Sequence, residues 1–202
     1  MSDSLVSPLA LSRARCDPVA PTRRQQLLNF LVFQAAWFAA VLGAAHDRPL
    51  WGTGCVLAAI AWHLGVVAQP WREARLVLLA ALIGATVESL VVALGNVVYA
   101  SGQPVAWLAP HWMIALWGEL AIALNVTMRW LKRRPLLACA LGAIAGPSSF
   151  AAGVRLGGAH FVAERPALLT LALMWAVMMP LLMWLSDRFD GVLPAAEETQ
   201  GA

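Results

Sequence analysis

Six apolar segments dominate this chain, at residues 27–45, 51–69, 76–99, 106–130, 136–157 and 167–186. Each is close to the ~20 residues that cross a ~30 Å hydrocarbon core. Short polar connectors separate them, such as His46-Asp47-Arg48-Pro49, Ser101-Gly102-Gln103-Pro104 and Lys132-Arg133-Arg134-Pro135. Lipid offers a peptide group no hydrogen-bond partner, so segments of this kind must satisfy their backbone internally, as helices. A membrane barrel would alternate apolar and polar residues, and these segments do not. The pattern predicts an all-α polytopic membrane protein, a bundle of about six transmembrane helices over residues 25–188. Residues 1–24, with Pro8, Pro18 and Pro21 among Ser, Arg and Asp, predict a disordered cytoplasmic tail. Residues 189–202 predict a disordered acidic tail.

The composition agrees. Sixty per cent of the residues are hydrophobic and 12% charged, against about 45–50% and about 25% in soluble domains. The basic residues are placed as a topology signal rather than a nucleic-acid surface. Eleven of the 14 Lys and Arg residues fall in the N-terminal tail, the second and fourth connectors and the C-terminus. Only Arg48, Arg155 and Arg165 fall on the other side. The positive-inside bias then puts both ends in the cytoplasm, on one side as an even number of spans requires. Arg23-Arg24 before an apolar run loosely resembles a twin-arginine export signal. The run's length and the five that follow favour its retention as the first helix.

Trp51, Trp71, Trp107 and Trp130 fall near segment ends, where an indole prefers the interface. Trp37, Trp62, Trp112, Trp117, Trp175 and Trp184 lie deeper and suggest packing inside the bundle. Ala36-xxx-Ala40-xxx-Ala44 and Ala35-xxx-Ala39-xxx-Gly43 place small residues where helices can approach closely. Cys16, Cys55 and Cys139 have no metal-ligand spacing and suggest small buried residues without a disulfide. With no HxxxH, HExxH or CxxC, neither a metal site nor another cofactor is expected.

Ionisable groups inside a membrane are costly, which makes them functional candidates. Glu88 and Glu119 lie about equally far from the Gln103-Pro104 connector, which in an antiparallel hairpin predicts similar depth near the midplane. Two such carboxyls can share a proton, bind a cation or act as an acid/base pair, or can face apart as unrelated buried groups. His63 is the third catalytic candidate. Asn29, Asn96, His111 and Asn125 are candidate ligand-binding groups, together with Ser148, Ser149 and Arg155. Gly146-Pro147-Ser148-Ser149 predicts a kink in the fifth helix, either freeing carbonyls as the broken helices of many transporters do or a structural kink tolerated by the neighbouring Ser. Arg155 can hold an anionic headgroup or extend toward the interface. Glu88 shares a helical stripe with Gly84, Val92 and Gly95, which leaves room for a neighbouring helix or a narrow ligand.

Several elements in order resemble a known family. They are Asn29-Phe30 with Trp37-Phe38 and Val41-Leu42-Gly43-Ala44-Ala45, then Arg72-Glu73-xx-Leu76 leading to Gly84-xxx-Glu88-Ser89-Leu90. Ala109-Pro110-xx-Met113, Leu116-Trp117, Leu124-Asn125, Leu141-Gly142-Ala143-xx-Gly146-Pro147 and Ala152-Gly153-xxx-Gly157 follow. Over about residues 27–186 the chain resembles the bacterial membrane-protein family catalogued as domain of unknown function 2878. Members often carry Asp at the position of Glu88 and an aromatic near Gly118 or Glu119, so Glu119 departs from the pattern. The resemblance implies a multi-pass membrane protein without an assigned activity. It also implies an association with lipid-modifying enzymes and envelope stress, because members are often encoded beside enzymes of the cyclopropane-synthase type. Three readings follow. The first is a lipid-linked enzyme or accessory subunit, whose partners are the bilayer, a lipid substrate or another membrane protein. The second is a small-solute transporter or substrate-binding subunit, and the third a structural assembly factor. A lateral opening between helices favours the first, and a deep pocket opening to the outer face the second.

Overall fold

A computed structural model describes residues 20–193. The fold is all-α, with six α-helices among the described residues: α1 Arg23–Ala45, α2 Pro49–Val66, α3 Pro70–Ala93, α4 His111–Leu124, α5 Pro135–Arg155 and α6 Glu164–Arg188. All but α4 are long and apolar enough to cross a membrane. Most of both expected tails lies outside the described residues, as does Cys16.

Local chemistry sets the helix ends. Thr22 and Gln25 form a reciprocal capping box that starts α1. Pro49, Pro70 and Pro135 open α2, α3 and α5, where a missing N–H costs nothing. Gly95 and Gly157, at φ +70° and +87°, end α3 and α5 in the left-handed turn that L side chains resist.

Successive helices pair as α1–α2, α3–α4 and α5–α6, and α4 sits centrally, touching α1, α2, α3 and α6. The Ala36/Ala40/Ala44 stripe is buried. It faces α2, where a Cβ on Gly52 would run into the backbone of Ala39 and Ala40. Gly142 and Gly146 do the same for α5 and α6, seating the backbone and ring of Trp175. The α5–α6 pair joins the rest through α6 and through a two-stranded ribbon. Strand β1 Val97–Tyr99, after α3, pairs antiparallel with β2 Ala159–Phe161, after α5, and Tyr99 sits opposite Ala159. One end of the bundle therefore carries this ribbon. The other carries the start of α1 and the chain after α6.

Several sequence expectations need correction. The segment 76–99 is not one helix: α3 starts earlier, at Pro70, and ends at Ala93 before the ribbon. Segment 106–130 holds only the 14-residue α4, about 21 Å long. Pro104 and Pro110 keep its approach irregular, and after Leu124 the chain turns into a single 3-10 turn, Arg129–Leu131. Pro147 lies within an uninterrupted α5, so of the two alternatives the broken helix is not found. Phe189–Leu193, assigned to the acidic tail, folds back on α3. Trp62, Trp184 and Cys55 are exposed on the outside of the bundle instead of packed within it.

Candidate functional site

Two buried carboxyls organise the polar interior. Glu88 has no exposed surface and accepts two hydrogen bonds. Tyr99 Oη donates to its Oε2 at 2.7 Å, and Trp117 Nε1 donates to Oε1 at 2.9 Å. The sequence of α3 prepares this contact: Gly84, one turn before Glu88, sits against the Trp117 side chain, and any Cβ there would collide with it. The room predicted beside Glu88 is thus filled by an indole. The ribbon supplies Tyr99, whose ring meets Trp112 edge-on at 5.6 Å. Trp117 stacks on Trp175 of α6 at 4.7 Å. One carboxyl therefore fixes aromatic groups from β1 and α4, and through stacking reaches α6.

Glu119 takes no part in this cluster. It is buried, with neither oxygen hydrogen-bonded within the described residues. Two helical positions separate it from Trp117, which turns it about 200° around α4 from the side that meets Glu88. Depth also differs from the midplane estimate. Glu88 lies five residues, about 8 Å, from the ribbon end of α3. Residues 94–110 form a loop and a strand instead of a tight hairpin, so equal chain distance from Gln103 did not measure depth.

The second carboxyl, Glu73 in the first turn of α3, was not singled out as a site residue. It is also fully buried and has three partners. His63 Nε2 lies 3.0 Å from Oε2, while Asn125 Nδ2 and the Gly191 backbone N–H each donate to Oε1 at 2.7 Å. This hub ties α2, α3, the end of α4 and the chain after α6 together. Beside it, Asp190 pairs with Arg129 at 2.7 Å and with Lys132 at 2.9 Å. Burial alone would raise the pKa of Asp190. Lys132, Arg129 and the Val192 N–H outweigh that and hold it below the usual aspartate value. The only sequence signal for Glu73 was a charge at the mouth of an apolar segment, which reads as an interface residue until its donors, more than 50 residues away, are placed.

The remaining candidates are dispersed. Asn29 donates to the Ile122 carbonyl and accepts from Thr127, pinning α1 to the end of α4. His111 pairs with Thr53, and Asn96 with Thr170, so these two do not meet each other. Ser148 bonds back to the Ile144 carbonyl, and Arg155 is exposed at the end of α5.

A cavity of about 600 Å³ lies between α1 and α5. Its walls are α1, including Phe30, Trp37 and Phe38, and α5, including Ser148, Ser149 and Gly153. Residues of α4 and α6 form the back, with Tyr99, Gly158 and Ala159 at the ribbon end and Thr127 and Met128 at the other. Along α1 it runs from Phe30 to Val41, about 16 Å. Helices α1 and α5, which wall the cavity, share little direct packing among the described residues. Glu88 and Glu119 do not line it; Tyr99 and Trp117 do, with Glu88 behind them.

No curated protein and no solved structure matches the chain. One family does, over residues 26–181, which takes in all of α1–α5, the ribbon and most of α6. By that match, the chain belongs to the family described as Protein of unknown function (DUF2878).

Proposed function

We propose that this multi-pass membrane protein handles membrane lipid, taking an apolar chain into the cleft between α1 and α5. The observation that supports this reading is the cavity itself, about 600 Å³ and walled by α1 and α5, which share little packing and so leave a path to the lipid between them. A cavity on a membrane span that opens sideways exchanges its contents with acyl chains rather than with water. Its lining is mostly apolar and aromatic, the surface an acyl chain prefers, with Gln34, Thr127, Ser148 and Ser149 as isolated polar points. In this reading Glu88 is a positioning residue that holds Tyr99 and Trp117 in the wall. Arg155, two residues beyond Gly153 of the lining, is a cation for a headgroup phosphate.

The protein lies in the cytoplasmic membrane with both ends in the cytoplasm. The sequence bias supports this placement, with eleven of 14 Lys and Arg residues in the N-terminal tail, the second and fourth connectors and the C-terminus.

Lipid extraction from protein purified in a non-ionic detergent, followed by mass spectrometry, tests the reading. About one lipid per protein should survive washing, and a deletion strain should change in the abundance of that lipid class. Protein that carries no lipid, in cells whose lipids are unchanged, would favour the transporter or assembly-factor readings instead.

A further inference from the structure

Gln34 stands midway along α1, eleven residues from each end of the helix. It lines the cavity, as does Ser149 on the α5 wall. The two lie at about the same depth, because α1 and α5 reach the ribbon end together. A Cβ on Gly158 would touch Val41 at 3.0 Å, and one on Gly157 would touch Ala45 at 3.4 Å. Gln34 is seven residues before Val41, about 10 Å deeper. Ser149 is six residues before the end of α5, about 9 Å deeper. Ser148 returns its hydroxyl to the Ile144 carbonyl, whereas Gln34 and Ser149 have no side-chain partner among the described residues. A third group within a helical turn of this level is also unmatched. Trp175 Nε1, bonded to the ring atom that abuts Gly146 of the lining, is buried without an acceptor among the described residues.

Unbonded amide and hydroxyl groups are costly in a hydrocarbon setting, so their gathering at one depth points to a ligand that carries oxygen there. An ordinary acyl chain offers none. Its ester oxygens stay near the membrane surface, about 15 Å from the midplane of a ~30 Å core. Gln34 and Ser149 also stand on different walls, so a single oxygen on a chain serves one and leaves the other unmatched. A flat ring with oxygens on opposite edges serves both. Trp37, Phe38 and Phe150 line the same stretch, and such aromatic surfaces suit a planar ring.

We propose that the middle of the cavity holds the ring of an isoprenoid quinone, with Gln34 bonding the oxygen on the α1 side and Ser149 the oxygen on the α5 side. The proposal rests on the lipid reading above, because the molecule enters the same cavity from the bilayer and lays its apolar tail along α1.

The test uses the full chain in a non-ionic detergent. Its probes are decylubiquinone, decylbenzene, octadecanoic acid with a mid-chain hydroxyl, and phosphatidylglycerol. Quenching of tryptophan fluorescence reads quinone binding, competition against it reads the other probes, and thermal unfolding reads stabilisation. Decylubiquinone should bind at a ratio of about one and at least about tenfold more tightly than decylbenzene, the factor that two hydrogen bonds supply. Gln34→Leu and Ser149→Ala should each weaken quinone binding about fivefold and leave decylbenzene binding unchanged. Either variant serves if the other does not accumulate. Equal binding of decylubiquinone and decylbenzene would overturn oxygen recognition while the lipid reading stood. A mid-chain hydroxyl acid binding as tightly as the quinone would assign the site to a chain with one oxygen and overturn the ring. Binding of none of the four probes would overturn both the quinone and the lipid reading.

Discussion

Glu73→Ala removes the acceptor at the centre of the termini-end hub. Asn125 Nδ2 and the Gly191 N–H lose the oxygen they share, and His63 loses the other, all in a dry environment. A buried donor left unpaired costs about 1–3 kcal/mol, so three groups with partial relaxation give about 4 kcal/mol. For a chain of this size each kcal/mol moves Tm by about 2–4 °C, which predicts a fall of about 8–16 °C. Glu73→Gln keeps one oxygen for the two donors and offers its amide to His63 Nε2, so it should cost about 1 kcal/mol or less. Removing the chain after Phe189 deletes Gly191 and Asp190 and should destabilise as well. Combined with Glu73→Ala, it should add much less than its separate effect, since both act on one cluster. The assay is thermal unfolding in a non-ionic detergent followed by tryptophan fluorescence. A Glu73→Ala protein melting within about 2 °C of the parent would refute the hub as a stabilising element.

Three further outcomes are expected. Gly84→Ala should destabilise by about 1–3 kcal/mol and displace Trp117, read as a lower Tm with altered tryptophan emission, because its Cβ would occupy space held by that side chain. Asp190 is held below the usual aspartate pKa, so its ion pairs contribute stability above that range and lose it as pH falls through the lowered value. Melting curves at falling pH should show this acid-side loss, and Asp190→Asn should abolish that part of the dependence. C-terminal fusions of alkaline phosphatase should be inactive and of green fluorescent protein fluorescent, with the opposite result for a fusion at Gln103.

Much of the fold was legible because the bilayer restricts the answer. Apolar runs of about 20 residues must be helices, and proline in a connector opens the next one, as Pro49, Pro70 and Pro135 do. The ribbon was not legible, because Val97-Val98-Tyr99 continues an apolar run and only its pairing with Ala159–Phe161 makes it a strand. The short α4 was hidden similarly, since its irregular flanks are as apolar as a helix. Sequence reading picked out Glu88 by its charge in an apolar run, but not Tyr99, which sat in the same run and gains its role from the strand. Trp117 read as packing, and its N–H has a partner only once α3 and α4 are juxtaposed. Local sequence carries apolar periodicity, whereas the depth of a buried carboxyl and its pairing with donors belong to the tertiary fold.

The central claim is that a lipid chain occupies the α1–α5 cleft, and Gly153 offers the most direct test. It lines the cleft, and a Cβ added there would meet nothing within 4 Å. Gly153→Leu should therefore fill the cleft without disturbing the fold, and leucine also suits a helix better than glycine. The measurement is the molar ratio of lipid retained by the purified variant and its parent, with Tm determined on the same samples. The account predicts a Tm at or above that of the parent together with a severalfold loss of bound lipid. An unchanged Tm with undiminished lipid would place the lipid outside the cleft and contradict it.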